Sequence, residues 1–428
     1  MRERAKRKEI NWEKLDNTAN LFPVIATESM TNVYRISVTL NEEIDRNLLQ
    51  EALIQILPWF DSMNVRMRTG VFWYYFETNR KGAPIVEEEN DYPCRYIEPQ
   101  TNRNYLFRVT YYKCRINLEV FHVLADGMGG VTFLRELTYQ YLRLKYPALC
   151  EVTGDELSDS TSLNTEDSYL KNYRKSQPKG YKSEPAVHMK GEKLRTGAVG
   201  VVHGYMSVGQ LKKVAKKRGI SINEYLASVY TYSIYREYLH GAVLQKPIVT
   251  CIPVNLRPYF ESLTTRNFFA MVSAVFRPQK EEYTLDEVTE IVVKSLREQI
   301  NKENLEKLFS YNVSNQKNLV LRAVPLFLKK IAMRWVYCTS AKATTTTMTN
   351  IGQVSISEPY QSYVKRFQVI LSASRGQNMK GTVCSYGDEL VFTFCSILRD
   401  VSVQRRFFKT LVQDGVDVSI ETNGAYYE

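Results

Sequence analysis

Between Ala148 and about Gly197 the chain loses its periodicity. Ser, Thr, Asp, Lys and Pro crowd this stretch, whereas strand-like and helix-like segments alternate on either side of it. A polar interruption of that length reads as a long crossover holding a boundary, so the chain is expected to fold as two mixed halves, residues 1–195 and 196–428. The length, 428 residues, exceeds what one ordinary core serves and agrees with two units. No repeat of about 20–50 residues is visible, which argues against a solenoid or propeller.

The segments on both sides carry local signals. Val33–Leu40 is rich in β-branched and aromatic residues and predicts a strand. Leu48, Leu49, Ala52, Leu53, Ile56 and Leu57 recur at helical spacing over Asp45–Leu57. A hairpin is expected around Thr69-Gly70, and two pairing strands at Leu106–Lys113 and Arg115–Val123. In the second half, Ser221–Glu224 and Thr284–Glu287 are capping boxes that open helices. Strands are predicted at Val199–Met206, Pro247–Pro253, Phe268–Phe276, Gln353–Ser357, Phe367–Ser374, Gly381–Tyr386 and Glu389–Ile397. The class is α/β or α+β, built twice.

Charge and composition narrow the function classes. The net charge of +11 favours acidic partners such as nucleic acid, anionic lipid or phosphate-bearing cosubstrates, without choosing among them. The 29 tyrosines form no compact basic-aromatic motif, so they read as half-buried residues of sheets and pockets, and no nucleic-acid binding is expected. The cluster Arg2, Arg4, Lys6, Arg7, Lys8 reads as a solvated tail without a secretory signal. Seven cysteines, an odd number with no C-x-x-C pair, read as free thiols in a reducing cytosol; no metal site is expected. No run of 18 apolar residues occurs, so no transmembrane segment is expected. Leu319–Tyr337 is apolar but carries Arg322, Lys329, Lys330 and Arg334; it reads as a partly buried helix with snorkelling basic stems rather than an interfacial membrane helix.

Only four histidines exist: His122, His188, His203 and His240. His122 ends a predicted strand, Asp126 follows four residues later, and Gly127-Met128-Gly129-Gly130 leads into a helix. An imidazole and a carboxylate are thus presented at a strand-to-helix turn, where glycines permit close approach. The string alone serves equally well for a core histidine beside a turn aspartate. The glycines do not make a dinucleotide fingerprint, since Thr132 stands where its third glycine belongs.

In this context the His-x-x-x-Asp-Gly string resembles the active-site motif of the chloramphenicol-acetyltransferase-like superfamily. That group includes alcohol acetyltransferases, plant-type acyltransferases and the condensation domains of peptide synthetases. Three later segments are similar to parts of the same family: Ile252-Pro253-Val254-Asn255-Leu256-Arg257, Thr265-Arg266-Asn267-Phe268, and the turn Thr349-Asn350-Ile351-Gly352. Phe121 replaces the first of two adjacent histidines found in many relatives, Arg266 stands where Gly is usual, and no Asp-Phe-Gly-Trp-Gly string occurs. The bacterial alcohol-acetyltransferase-like branch is therefore favoured over the plant branch.

The resemblance implies two subdomains with an active-site tunnel between them, entered by acyl-CoA from one face and by the acceptor from the other. His122 would be the general base, and Thr349 or Asn350 the oxyanion donor. Asp126, Gly127, Arg257 and Asn255 would support the site, with Asp126 pairing Arg257 rather than orienting the imidazole. Acyl-CoA would be a co-substrate with no tightly bound cofactor. The acceptor would be a small alcohol or an amine, with a carrier protein as an alternative donor. A cytoplasmic monomer is expected. The implied activity is an O-acyltransferase without a covalent enzyme intermediate; the alternatives are a condensation-type enzyme and a non-catalytic protein of the same fold.

Overall fold

The computed structural model describes residues 12–154, 157–158, 161–175, 184–318 and 322–427. The basic cluster at Arg2–Lys8 lies outside them. Three sheets form. The five-stranded sheet runs in the order Val364–Leu371, Val33–Leu40, Arg115–Phe121, Phe107–Tyr112, Glu87–Glu88, antiparallel except for its last pair. The seven-stranded sheet runs Phe269–Phe276, Ile248–Asn255, Thr346–Gln353, Met379–Tyr386, Glu389–Ser396, Gly200–Ser207, Ser419–Thr422. Thr346–Gln353 lies parallel to both of its neighbours. A small sheet joins Glu13–Lys14 to the hairpin Val65–Thr69 and Tyr74–Thr78.

Each large sheet buries apolar faces against helices. The helix Arg46–Ile56 starts at Asp45, whose carboxylate accepts the backbone N–H groups of Asn47 and Leu48, and it buries Leu49, Ala52, Leu53 and Ile56. It packs on the helix Gly127–Lys145, which lies on the central strands Val33–Leu40 and Arg115–Phe121. In the second half, Ile222–Ser233 and Leu285–Gln299 both open with complete capping boxes. With Ser402–Gln413 they cover the seven-stranded sheet.

The two halves are interleaved. Val364–Leu371 comes from late in the chain yet forms the edge of the five-stranded sheet, pairing with Val33–Leu40 from Val364↔Leu40 to Leu371↔Tyr34. The same strand packs on Met379–Tyr386 and Glu389–Ser396 of the other sheet. The polar stretch after Ala148 holds the helices Pro147–Thr153 and Ser168–Lys171. It is bonded across the fold: Thr265 N–H donates to Asn164 O (2.7 Å), and buried Tyr169 donates its hydroxyl to Phe269 O (2.8 Å). Loop composition hid this, because main-chain hydrogen bonds do not depend on an apolar period.

One segment differs from the sequence expectation and a second meets it in part. The strand expected at Gln353–Ser357 instead occupies Thr346–Gln353, so Thr349-Asn350-Ile351-Gly352 lies inside a strand with a register shift between Asn350 and Gly352, rather than in a turn. The β-branched run Thr344–Thr347 leads into that strand, which begins at Thr346. The apolar-basic segment forms the helix Leu326–Ser340 after Pro325, and only Leu326 of it is buried. The expected partly buried face is present, with Lys329, Lys330, Met333 and Tyr337 half-buried beside Leu326, while Phe327, Ile331 and Trp335 face solvent; residues 319–321 lie outside the described residues.

Candidate active site

His122 sits where the strand Arg115–Phe121 ends, and its backbone N–H still donates to Asn32 O (3.0 Å). Four residues later Asp126 caps the helix Gly127–Lys145, its carboxylate accepting Gly129 N–H at 3.1 Å. The imidazole is held on several sides. Phe22 stacks on it (centroids 4.5 Å, 21° between planes), Tyr34 meets it edge-on at 5.2 Å, and Phe269 lies at 5.9 Å. The residue as a whole is half-buried.

One ring nitrogen is occupied. His122 Nδ1 lies 3.0 Å from Asn267 Oδ1. The Asn267 amide is oriented in turn, its Nδ2 donating to Asp16 Oδ2 (3.0 Å) and to His122 O (3.3 Å). Asp16 also accepts Ala19 N–H at 2.7 Å. With Asn267 Oδ1 as acceptor, the proton belongs on Nδ1 and the lone pair on Nε2. Nε2 has no hydrogen-bond partner among the described residues. Burial pulls the imidazole pKa below its ordinary value, and the nearby charge of Lys380 acts in the same direction; the Asn267 bond and Asp126 oppose them. The net shift favours the neutral ring. Burial also pushes Asp16 up to about 7.

Asp126 does not touch the imidazole through its carboxylate. It makes a two-pronged pair with Arg257, Nη1 to Oδ2 at 2.9 Å and Nη2 to Oδ1 at 3.0 Å, and also accepts Phe268 N–H at 3.0 Å. Asn255 Oδ1 accepts both the N–H and an Nη1–H of Arg257 (3.1 Å each). The guanidinium further donates to Thr264 O (2.8 Å) and Arg266 O (2.7 Å). This cluster ties the histidine loop to the segment 255–268 of the second half. Gly129 has to be glycine here: a β-carbon on it would lie 2.1 Å from Thr265 O.

The strand Thr346–Gln353 approaches the same loop. A β-carbon on Gly127 would meet Ile351 Cδ1 at 2.9 Å. Asn350 spends its amide locally, accepting Gly352 N–H (2.7 Å) and donating to Asn223 Oδ1 (3.2 Å). Thr349 pairs in register with Thr382, and Thr382 donates its hydroxyl to Val369 O (2.7 Å) on the five-stranded sheet. Residues directly opposite on adjacent strands share a face. Thr349 therefore faces the five-stranded sheet, is partly exposed, and has no side-chain hydrogen bond among the described residues. Lys380, two residues before Thr382, shares that face; it is buried, bonded to Ser374 Oγ, and pushed down to about 8 by burial.

The structure thus ties Asp126, Asn255 and Arg257 into one network, keeps His122 and Gly127 on the same loop, and brings the strand of Thr349 and Asn350 against that loop. Asn267 was visible in the Thr265–Phe268 segment, but its bond to the imidazole was not. Asp16, Phe22 and Lys380 carried no sequence signal. His188 bonds Gly376 O and Lys342 O, and His203 is buried against Thr393 and pushed down to about 3 by burial and nearby arginines. Among the described residues no group of three or more His, Cys, Asp or Glu could hold a metal, all seven cysteines are free, and no helix is long and apolar enough to cross a membrane.

No protein-family model matches the chain, and no curated protein matches it in sequence. Solved structures do match in shape. The trichothecene 15-O-acetyltransferase TRI3 of Fusarium sporotrichioides is 10% identical, with 94% of each chain covered and a TM-score of 0.60. TRI101 of F. sporotrichioides, solved with coenzyme A and T-2, is 11% identical, covering 95% of this chain and 99% of that one, TM-score 0.62. The first condensation domain of the CDA synthetase is 11% identical, covering 95% and 99%, TM-score 0.61. The chain has the fold that these proteins share.

Proposed function

We propose, taking this chloramphenicol-acetyltransferase-like fold as the premise, that the protein is an acyltransferase moving an acyl group, acetyl foremost, from acyl-CoA to the hydroxyl of a small alcohol. The observation that carries the reading is the unpartnered Nε2 of His122, with its lone pair set by the Asn267 contact at Nδ1. Support comes from TRI101, which was solved with coenzyme A. The positive charge of the chain suits a phosphate-bearing donor.

The step balances without a covalent enzyme intermediate. Nε2 takes the proton of the acceptor hydroxyl as its oxygen attacks the thioester carbonyl carbon. The tetrahedral oxyanion is held by the Thr349 hydroxyl, the free donor on that face; Asn350 instead holds the strand irregularity. Collapse breaks the carbon–sulfur bond, and the imidazolium returns its proton to the departing thiolate. General-base help of this kind contributes about 10²–10⁴-fold, roughly 3–5.5 kcal/mol. Asp126, Arg257, Asn255 and Gly127 act by fixing the loop, and the donor and acceptor meet at His122 in a tunnel between the halves 1–195 and 196–428.

The test is thiol release from a panel of acyl-CoAs and alcohols. His122→Ala is expected to stay folded and to lose most transfer; full retained activity rejects the assignment. The similarity to a condensation domain supports a second reading, with a carrier-protein thioester as donor and an amine as acceptor. Activity with acyl-carrier protein but not acyl-CoA selects it.

A further inference from the structure

The helix Leu326–Ser340 presents an apolar stripe to solvent. Phe327 is 64% exposed, Ile331 67% and Trp335 70%, at a spacing of four residues along one face. Isolated exposed apolar residues are ordinary, but a row of three large ones on one helix is not. The stripe continues onto the tip of the hairpin 65–78, where Val71, Phe72 and Trp73 are also exposed. Helix and tip are locked together: Leu326 N–H donates to Val71 O (2.8 Å), and Lys329 Nζ to Phe72 O (3.0 Å).

The rim of this face is positive. Arg322, Lys329, Lys330 and Arg334 lie in or beside the helix, residues 322–343 contain no Asp or Glu, and none of the four pairs with a carboxylate among the described residues. Lys14 stands over the Trp73 ring at 5.3 Å and Lys330 over Tyr74 at 5.0 Å. The nearest acid of the hairpin, Glu77, is already paired with Arg66 and Arg68. An exposed stripe of Phe, Ile and Trp bordered by unpaired cations complements an anionic lipid surface: the rings enter the headgroup boundary while the basic groups meet the phosphates. A protein partner of matching apolar shape would leave those cations without counter-charge.

We propose that this face docks the protein on an anionic bilayer. The helix Leu326–Ser340 packs on the short helix Phe22–Ile25, whose Phe22 stacks on His122. Docking therefore sets the membrane one helix away from the candidate base. The inference goes beyond the acyltransferase reading and does not depend on turnover.

The experiment is co-sedimentation of the full chain with vesicles of phosphatidylcholine alone and of phosphatidylcholine with phosphatidylglycerol, at low and high salt, with sedimentation velocity on the lipid-free protein. The expected result is binding to the anionic vesicles, weakened by salt. Phe327→Gln/Ile331→Gln/Trp335→Gln is expected to lower partitioning by at least about tenfold, with circular dichroism unchanged because these side chains are exposed. Lys330→Glu/Arg334→Glu is expected to abolish the preference for anionic lipid. Wild-type protein that stays in the supernatant with both vesicles overturns the proposal. So does binding unaffected by either variant. A wild-type dimer that the triple variant makes monomeric, without vesicle binding, assigns the face to a second copy and overturns it too.

Discussion

Asn267 Oδ1 lies 3.0 Å from His122 Nδ1, across 145 positions of chain. This contact decides which nitrogen of the imidazole is left with a lone pair, and Asp16 holds the amide in the orientation that makes the decision. With His122 as the proposed base, Asn267 is its positioning residue and not a second base.

Its charge state can be read in a pH profile. Burial holds the His122 pKa below 6.5, so kcat/KM should be flat at neutral pH and fall only on acidification, as the ring protonates. Asn267→Asp puts a carboxylate beside Nδ1, stabilises the imidazolium, and should move the acid limb to higher pH. A limb at the same pH in both proteins contradicts this account of the tautomer.

The pair Asp126–Arg257 joins the histidine loop to the second half with both partners largely buried. Removing one partner leaves an uncompensated charge, so Asp126→Asn and Arg257→Met are each expected to cost about 3–5 kcal/mol in urea unfolding. The double variant should lose less than the sum of the two, because neither charge is then stranded. Additive losses would show that the pair does not act as one unit.

Thr349 tests the oxyanion assignment. Thr349→Val keeps shape and burial but removes the hydroxyl, and is expected to lower kcat by about 10²–10³-fold with KM for the donor little changed. Thr349→Ser should retain most of the rate. If valine and wild type turn over alike, the donor is another group.

Much of the architecture was legible because it is encoded by neighbours in sequence. Val33–Leu40 is observed over the residues its composition marks, and the helix expected over Asp45–Leu57 is observed over Arg46–Ile56. Both capping boxes start helices where Ser221 and Thr284 place them. Asn and Gly are turn residues and make the segment around Thr349 read as a turn, yet a parallel strand on either side recruits it into the sheet. The helix Leu326–Ser340 half-buries one face as its sequence suggests, but that Phe327, Ile331 and Trp335 stay in solvent is not legible, because an apolar stripe has the same period whether a core or solvent lies against it.

The sequence alone determined that an imidazole would stand at the end of a strand, with an aspartate and glycines at the turn into the helix that follows. Strand propensity and the glycines act within ten residues. Only the tertiary structure decided what that imidazole meets. Asn267, Asp16 and Phe22 reach it through the packing of two interleaved sheets, and Arg257 claims the aspartate from the far half. Local preferences fix dihedral angles and faces, whereas contacts between distant segments depend on register and crossover. Those are set by the burial of the whole chain and by no single stretch of it.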